Sequence, residues 1–598
     1  MTRASGQPVH TSRTQARAGE SAGQKPADRR ARLFIVGLLL IGLLLGLWTA
    51  ATKSITHDEL WHLPVGLKNL REGRFDIDRL NPPLSRMWAA VPLALAGVSH
   101  QSNAIGSANG KDFTEEHPHD FMRWYVWGRA FHLAWWLLTG VLLAIWSWQL
   151  LGRDAACLAV LLFACCPNLL GHGAIVTPDV ALSATFLGAL YAGWRWWRAL
   201  QWRWASAWGA ALGLALGVKF TAVLLYPVFI VIVISACWKR RRELRARLPV
   251  IALQAALGFS FSILLLALSY GLQGLLIPLS HYQFASSGMK TAQAFWAFWP
   301  EIPVPLPADY LWGIDQQRAI MESPHPVFLD GEWSLTGFRD YYWKTLLYKL
   351  PHLTQLLLIT GLLALLLRNI RQARGEALLF ILAPSLLLLL IATGEGMQLG
   401  IRYVLPVLPL LLMAAGASAC GLQGMPAPLR RGAWLVIAVL SLLALRHQPD
   451  HLAYFNELAG GPIGGREHLL DSNLDWGQDL YQVPAAMRSH KLQRIGLAYF
   501  GTVAPQLLGI EFDVPPSWEP VAGWYAVSVN YVMGRPHVLT QGDGTSRGTD
   551  FQEFGYFRFF QPVTCLGGSI DVYHLTDEDV ARWNSARERA GGRLPQNP

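Results

Sequence analysis

The sequence has few charged residues and few cysteines. Only 15% of its 598 residues are Asp, Glu, Lys or Arg, whereas soluble domains usually have about a quarter. Five of the six cysteines lie in apolar segments and none forms a CxxC pair, so neither a disulfide framework nor a zinc motif is available. Taken with the apolar runs described next, these absences exclude a soluble enzyme, a disordered chain and a nucleic-acid binder.

The sequence is instead rich in long apolar runs. Hydrophobic residues make up 52% of the chain and the mean hydropathy is +0.27. Many runs approach the roughly 20 residues that cross a bilayer as a helix. Eleven spans are predicted, at 33–50, 124–150, 155–170, 178–195, 205–218, 220–238, 248–270, 351–367, 376–392, 402–420 and 432–446. The sequence therefore predicts an α-helical integral membrane protein.

The basic residues are unevenly distributed along the chain. If the N-terminus is cytoplasmic, the predicted inside segments hold 22 basic and four acidic residues, including the run Lys239-Arg-Arg-Arg242. Cytoplasmic loops of membrane proteins are enriched in Lys and Arg, which supports this orientation. An odd number of spans then places the C-terminus outside. We expect a multi-pass protein of the bacterial cytoplasmic (inner) membrane.

The predicted regions differ in composition. Residues 1–32 are polar and rich in arginine, which favours a disordered cytoplasmic tail. Residues 33–446 form the transmembrane region, with long outer loops at 51–123 and 271–350. Residues 447–598 contain alternating apolar runs that are typical of strands, at 494–500, 524–532 and 569–575, and they predict a small α/β extracytoplasmic domain. Since long connections usually have a function, we expect the chemistry on the outer face.

Adjacent carboxylates follow the first span, in Thr56-His57-Asp58-Glu59. Acids at a membrane surface repel each other and lose hydration, so at least one of them needs a specific partner. Asp58, Glu59 and His62 have helical spacing, which favours an amphipathic interfacial helix with its acids facing inward. An ordinary solvated start of a loop is the alternative.

Further ionisable residues stand at predicted span ends. Asp179 opens the fourth span, where it either faces Asp58 or complements the helix dipole. Lys219 and Arg402 are isolated among apolar residues; such residues usually face a cavity or an anion, and snorkelling to the headgroups is the alternative. Arg86 follows the turn-forming Asn81-Pro-Pro-Leu84 and suits phosphate binding.

In this order, these motifs resemble the lipid-carrier-dependent glycosyltransferases of the GT-C type. The similar families are the protein O-mannosyltransferases and the bacterial aminoarabinose transferases (glycosyltransferase family 39). The resemblance is carried by Asp58-Glu59, Asn81-Pro-Pro-Leu84, Asn168 with Thr177-Pro178-Asp179, Gly217-Val-Lys219-Phe220 and Arg402-Tyr403-Val-Leu-Pro406. Residues 454–461 and 471–479 resemble the segment after the membrane region in a bacterial branch of this group.

The resemblance implies a hexosyl or pentosyl transferase. It would move a sugar from a polyprenyl-phosphate donor to an acceptor hydroxyl of a protein, lipid or surface polymer, on the outer face and with inversion. The implied roles are general base for Asp58; orientation of that base for Glu59 and Asp179; binding of the donor phosphate for Lys219, Arg402 and Arg86; and contact with the acceptor or substrate for His62, His172 and Tyr403.

No metal cofactor is expected, because the sequence has no HExxH or CxxC spacing, although a divalent metal would suit the same charge-stabilising role. The expected partners are the lipid-linked donor, the acceptor and the bilayer, without nucleic acid. A transporter or flippase of a lipid-linked substrate is the alternative function. Transporters place ionisable residues near the midplane and contain repeats, whereas here the charges lie at outer span ends and no repeat is visible.

Overall fold

The structure, a computed structural model, describes residues 12–239, 247–367 and 371–591. Parts of the predicted inside segments, at 1–11, 240–246 and 368–370, lie outside the described residues. This includes the arginines at 240–242 of the basic run.

The first half of the described chain is helical. Its helices are α1 (Ser12–Thr52), α2 (Glu59–Glu72), α3 (Leu84–Leu95), α4 (Ser107–Glu116), α5 (Phe121–Leu151), α6 (Arg153–Ala164), α7 (Pro167–Gly173), α8 (Pro178–Ala199), α9 (Trp202–Val218), α10 (Leu225–Lys239) and α11 (Leu248–Ser269). The predicted disordered segment 1–32 is helical in this structure from Ser12 onward, and its first eleven residues lie outside the described residues. Ala, Arg and Gln are strong helix formers, and they extend a helix whose nucleus the apolar run 33–50 supplies.

The remainder alternates short strands with helices. The helices are α12 (Ser287–Phe295), α13 (Ala308–Glu322), α14 (Tyr341–Lys349), α15 (His352–Leu367), α16 (Arg371–Ala377), α17 (Ala383–Gly394), α18 (Val407–Gly416), α19 (Ala419–Leu422), α20 (Ala427–Leu443), α21 (Gly461–Gly465), α22 (Val483–Ser489), α23 (Val529–Val532) and α24 (Asp577–Arg589). The strands are β1 (Ile277–Pro278), β2 (Pro303–Val304), β3 (Val327–Leu329), β4 (Glu332–Ser334), β5 (Ile495–Ala498), β6 (Phe512–Asp513), β7 (Gly523–Ser528), β8 (Val538–Thr540), β9 (Ser546–Gly548), β10 (Thr564–Leu566) and β11 (Ile570–Leu575).

Candidate membrane spans are fewer than the eleven predicted. Among the described residues, five helices are long and apolar enough to cross a membrane, and seven if each bent pair counts as one span. The bent pairs are α6 with α7 and α14 with α15. Several predicted spans fall on helices shorter than the roughly 20 residues required; α9, α10 and α18 have 17, 15 and 10 residues. The described residues thus form a helical protein with five to seven candidate spans, and the eleven predicted spans are not confirmed.

A mixed sheet occupies the C-terminal part. Its strand order is β10-β11-β7-β5-β6, with β5 parallel to both neighbours and the other pairs antiparallel. Strands β5, β7 and β11 lie where the alternation of apolar residues predicts them.

Helices α5, α6, α8 and α18 form the centre of the helical part. Residues 155–164 of α6 are all buried, and the tryptophans Trp136 and Trp146 of α5 are fully buried beside them. At the edge, α9 packs closely on α11: a Cβ at Gly209 would lie 2.3 Å from the carbonyl oxygen of Gly258. Small residues permit this approach between helices. Near the end of α9, just before Lys219, a Cβ at Gly217 would lie 3.0 Å from Ser269 Oγ.

Candidate active site

Asp58 lies directly before α2, in the short segment between α1 and α2. Two backbone hydrogen bonds tie this segment to the C-terminal part: the amide of Ser54 donates to the carbonyl oxygen of Gln478 (2.9 Å), and that of His57 donates to the carbonyl oxygen of Trp476 (2.8 Å). The position of Asp58 therefore depends on residues more than 400 positions later in the chain. Helix α2 is mostly buried and differs from the interfacial helix predicted, because α3 and α4 pack closely against it: a Cβ at Gly66 would lie 2.3 Å from the carbonyl oxygen of Arg86, and one at Gly110 would lie 2.4 Å from that of Leu60.

Glu59 forms a buried ion pair with Arg129 of α5. Arg129 Nε donates to Glu59 Oε1 (2.7 Å) and Nη2 donates to Oε2 (2.6 Å), and both side chains are fully buried. Arg129 also donates to the carbonyl oxygens of Ala50, Lys53 and Ser54. Glu59 is therefore engaged within the protein and braces the segment that carries Asp58.

The Asp58 carboxylate is paired with Arg402, whose Nη1 donates to Oδ2 at 2.6 Å. The guanidinium lies 4.2 Å from the ring centre of Trp476 and 5.5 Å from that of Tyr403. Gly400 makes the preceding turn with a φ of 107°, and a Cβ there would lie 2.8 Å from Asn473 Oδ1. The C-terminal part therefore shapes the loop of Arg402 as well as that of Asp58.

Asp179 and Lys219 form a second ion pair next to the first. Asp179 is in the first turn of α8, as predicted, and accepts a hydrogen bond from Lys219 Nζ at 2.5 Å. Lys219 Nζ also lies 4.9 Å from the ring centre of Tyr403. Since Arg402 contacts the same ring, Tyr403 connects the two pairs.

Several buried polar atoms around these pairs have no hydrogen-bond partner among the described residues. They are His57 Nδ1, His172 Nδ1, Thr177 Oγ1, Asp179 Oδ2 and Arg402 Nε. Buried polar groups are normally hydrogen-bonded, and each exception requires an explanation. Their concentration here indicates a site for a polar ligand.

Three other predicted site residues, His172, His62 and Arg86, are not members of the two ion pairs. His172 lies beside Trp476, with 6.2 Å between the ring centres. His62 is buried on α2, one helical turn from Asp58. Arg86, in contrast, has Nε bonded to Asn69, Nη2 bonded to the carbonyl oxygen of Asp78, and an ion pair with the Asp78 carboxylate. These contacts within the protein engage the guanidinium donors of Arg86, so the geometry does not favour the predicted contact between Arg86 and phosphate.

Four contributors from the C-terminal part were missed in the sequence. Trp476 stacks on Arg402, Asp471 pairs with Arg535 at 2.5 Å, and the ring of His537 lies 4.9 Å from that of His57. The motif 471–479 was a visible signal for Trp476 and Asp471, although no role could be read from it. Arg535 and His537 stand in no motif.

An apolar cavity of about 300 Å³ leads to the ion pairs. Lys219 and Tyr403 are among its lining residues, and its walls come from Phe220–Leu224, α13 and α17. Leu224, Ile314 and Leu388 are among its apolar residues. The lining also includes Arg318 and Glu395, which form an ion pair at 3.0 Å, so the cavity combines mostly apolar walls with the cation Lys219.

No group of three or more His, Cys, Asp or Glu side chains among the described residues is arranged to hold a metal ion.

The helical region carries a recognisable family domain. Residues 126–265 match the family described as dolichyl-phosphate-mannose-protein mannosyltransferase, which confirms the GT-C resemblance for this segment. The segment includes Asp179 and Lys219. A comparison with curated proteins found no match.

Solved structures of two kinds of protein are similar to this one at low identity. ArnT from Cupriavidus metallidurans in the apo state has 14% identity and a TM-score of 0.44, covering 71% of this chain and 68% of that chain. The same protein bound to undecaprenyl phosphate has 12% identity and a TM-score of 0.45, covering 85% and 96%. The archaeal oligosaccharyltransferase AglB from Archaeoglobus fulgidus, in complex with an inhibitory peptide and a dolichol-phosphate, has 11% identity and a TM-score of 0.44, covering 87% and 74%. These likenesses assign no residue of this chain.

Proposed function

We propose that this protein transfers a sugar from a polyprenyl-phosphate donor to an acceptor hydroxyl. The observation that carries the proposal is the position of Lys219, which stands where the apolar cavity meets the charged cluster. A polyprenyl phosphate has the matching form, an apolar chain that ends in an anion. The family description of residues 126–265, which names a polyprenyl-type phosphate sugar as donor, supports the same donor class.

Asp58 is the proposed general base. Arg402 holds Oδ2, whereas no described residue donates a hydrogen bond to Oδ1, which leaves this oxygen for the acceptor hydroxyl. As the acceptor oxygen bonds to the anomeric carbon, its proton passes to Asp58 and the bond from that carbon to the phosphate oxygen breaks. The polyprenyl phosphate departs with the electron pair. Attack opposite the leaving phosphate inverts the anomeric centre.

Lys219 and Arg402 are proposed to stabilise the departing phosphate. Fixed cations aimed at developing negative charge are often the largest catalytic term in a water-poor site. Because phosphate leaves as an anion, no general acid is required, and the proposed reaction does not require a metal. Asp179 keeps Lys219 in position.

The outer face of a bacterial inner membrane is the proposed location, with residues 447–598 as an extracytoplasmic domain. This domain would approach the acceptor, a protein, lipid or surface polymer, from the side of His57 and His537, which form one wall of the site. The charge distribution of the sequence supports the orientation.

Lys219→Ala is expected to weaken binding of undecaprenyl phosphate by about 10–100-fold, since a charged hydrogen bond contributes about 1.5–3 kcal/mol. Lys219→Arg should retain most of the affinity, because it keeps the charge. Binding to the purified protein is measured by quenching of intrinsic fluorescence. Lys290→Ala, which removes an exposed lysine of α12, is the matched control.

Equal affinity of wild type and Lys219→Ala would refute the carrier site. Lys219→Ala also leaves the Asp179 carboxylate without its partner. The double variant Asp179→Asn/Lys219→Ala removes this carboxylate. If loss of the phosphate contact is the cause, the double variant should also bind undecaprenyl phosphate weakly. Movement of the carrier across vesicles without any sugar transfer would instead favour a flippase.

We expect kcat/KM for sugar transfer to fall on the acid side only below pH 4. Burial alone raises the pKa of the Asp58 carboxyl, but the charge of Arg402, aided by His57 and His62, outweighs burial and holds this pKa below its ordinary value of 3.8. A base with a lowered pKa stays ionised at lower pH, so kcat/KM should be flat from neutral pH down to about pH 5. In Arg402→Gln, burial prevails and the limb should move upward. An unchanged limb in that variant would contradict the assignment of Asp58.

A further inference from the structure

Residues of three helices line a second cleft, of about 600 Å³. It lies between α1, α6 and α20, and Arg30, Arg153 and Arg430 stand at its mouth. The candidate active site is beyond the C-terminal end of α1, since Asp58 follows Thr52. With a rise of 1.5 Å per residue, the 22 residues from Arg30 to Thr52 span about 33 Å. The cleft is therefore separate from the carrier site.

The cleft changes from polar to apolar along a single direction. Each helix carries its arginine near the mouth and its apolar lining residues later in the chain: Phe34 in α1, Leu161 in α6, and Trp434, Leu435 and Ala438 in α20. These residues follow the arginines by four to eight positions, or about 6–12 Å along the helix. The three helices also belong to candidate membrane spans. A cleft with this gradient matches a molecule with a polar head and an apolar tail lying along a membrane helix.

The mouth has an excess of positive charge. Arg153 is neutralised by Asp154 at 3.0 Å and Asp28 at 3.5 Å. No described acidic side chain lies within ion-pair distance of Arg30 or Arg430, and both side chains are exposed. In addition, α6 and α20 begin here, and the amide groups at a helix N-terminus favour an anion.

We propose that this cleft binds an anionic glycerophospholipid, with its phosphodiester between Arg30 and Arg430. An acyl chain would lie against Phe34, Trp434 and Leu435. Basic pockets between membrane helices bind anionic headgroups in this manner. The apolar wall favours a lipid over free phosphate, which would gain nothing from it.

Phosphatidylglycerol is the probe for the test, with phosphatidylcholine as the neutral lipid. The full-length wild type, the double variant Arg30→Gln/Arg430→Gln and the control Arg29→Gln/Arg431→Gln are purified and exchanged into mixtures of the two lipids. Native mass spectrometry counts the lipids retained, and thermal unfolding in each lipid reports stabilisation by the bound lipid. The control removes the same charge from neighbouring exposed positions of the same two helices that do not line the cleft.

We expect the wild type and the control to retain phosphatidylglycerol with a several-fold preference, and Arg30→Gln/Arg430→Gln to lose this preference at least fivefold. Equal unfolding temperatures in phosphatidylcholine alone establish that the variants are folded. The proposal is overturned if the wild type shows no preference, or if both double variants lose it equally, which would indicate general surface charge. Inorganic phosphate at millimolar concentration should displace no lipid; displacement would identify a site for the free anion and also overturn the proposal.

Discussion

Asp58→Asn is expected to reduce sugar transfer by about 10²–10⁴-fold, the usual contribution of a positioned general base, while binding of undecaprenyl phosphate is retained. The amide has the size of the carboxylate and its oxygen still accepts the hydrogen bond from Arg402, but it cannot take up the proton of the acceptor. The loss should therefore appear in kcat and not in affinity for the donor carrier. Two measurements test this expectation. The rate of sugar transfer from a lipid-linked donor is measured in proteoliposomes, and binding of undecaprenyl phosphate is measured by fluorescence.

Asp309→Asn is the matched control for this variant. Asp309 is also an ion-paired acid, 2.6 Å from Arg79, and its side chain is 21% exposed, close to the 23% of Asp58. It lies outside the cluster, so its replacement should leave transfer within about twofold of wild type. Full transfer by Asp58→Asn, or an equal loss in both variants, would remove Asp58 from the proposed mechanism.

Local features of the site could be predicted from the sequence because short-range rules determine them. The prolines at 82 and 83 start a helix at Leu84, as expected for residues with a fixed φ. Asp179 falls in the first turn of α8 because Thr177-Pro178 begins that helix. Alternation of apolar residues located β5, β7 and β11 for the same reason.

The pairings could not be predicted, since they join distant parts of the chain. Asp58 and Arg402 are 344 positions apart, and isolated charges in a sequence do not reveal their partners. The sequence therefore left Lys219 and Arg402 as single cations, whereas in the structure each holds an acid. Similarly, Trp476 reaches the site only because the segment 471–479 folds back over the end of α1. The eleven predicted spans are not confirmed for a related reason: apolar content does not distinguish a short buried helix from a crossing one.

Arg129→Met is expected to lower the free energy of unfolding by about 3–5 kcal/mol, the cost of leaving one partner of a buried ion pair uncompensated. The carboxylate of Glu59 would remain buried without the two hydrogen bonds from Arg129, and three carbonyl oxygens of the segment 50–54 would lose their donor. Arg129→Lys should cost less, because it keeps the charge but not the planar bidentate geometry. Unfolding by denaturant in mild detergent, followed by tryptophan fluorescence, measures the difference.

The double variant Glu59→Gln/Arg129→Met separates the ion pair from simple loss of packing. If the buried charge is the cause, removing it together with its partner should cost less than the sum of the two single changes, with a coupling of at least about 1 kcal/mol. Arg74→Met is the exposed comparison, since Arg74 and Asp76 are 40% and 45% exposed and such surface pairs contribute about 0–1 kcal/mol. Additive costs, or an Arg129→Met variant as stable as Arg74→Met, would mean that Glu59 is not held by Arg129. In that case Glu59 would be free to act in the reaction beside Asp58. The two hydrogen bonds between Arg129 and Glu59 argue against this outcome.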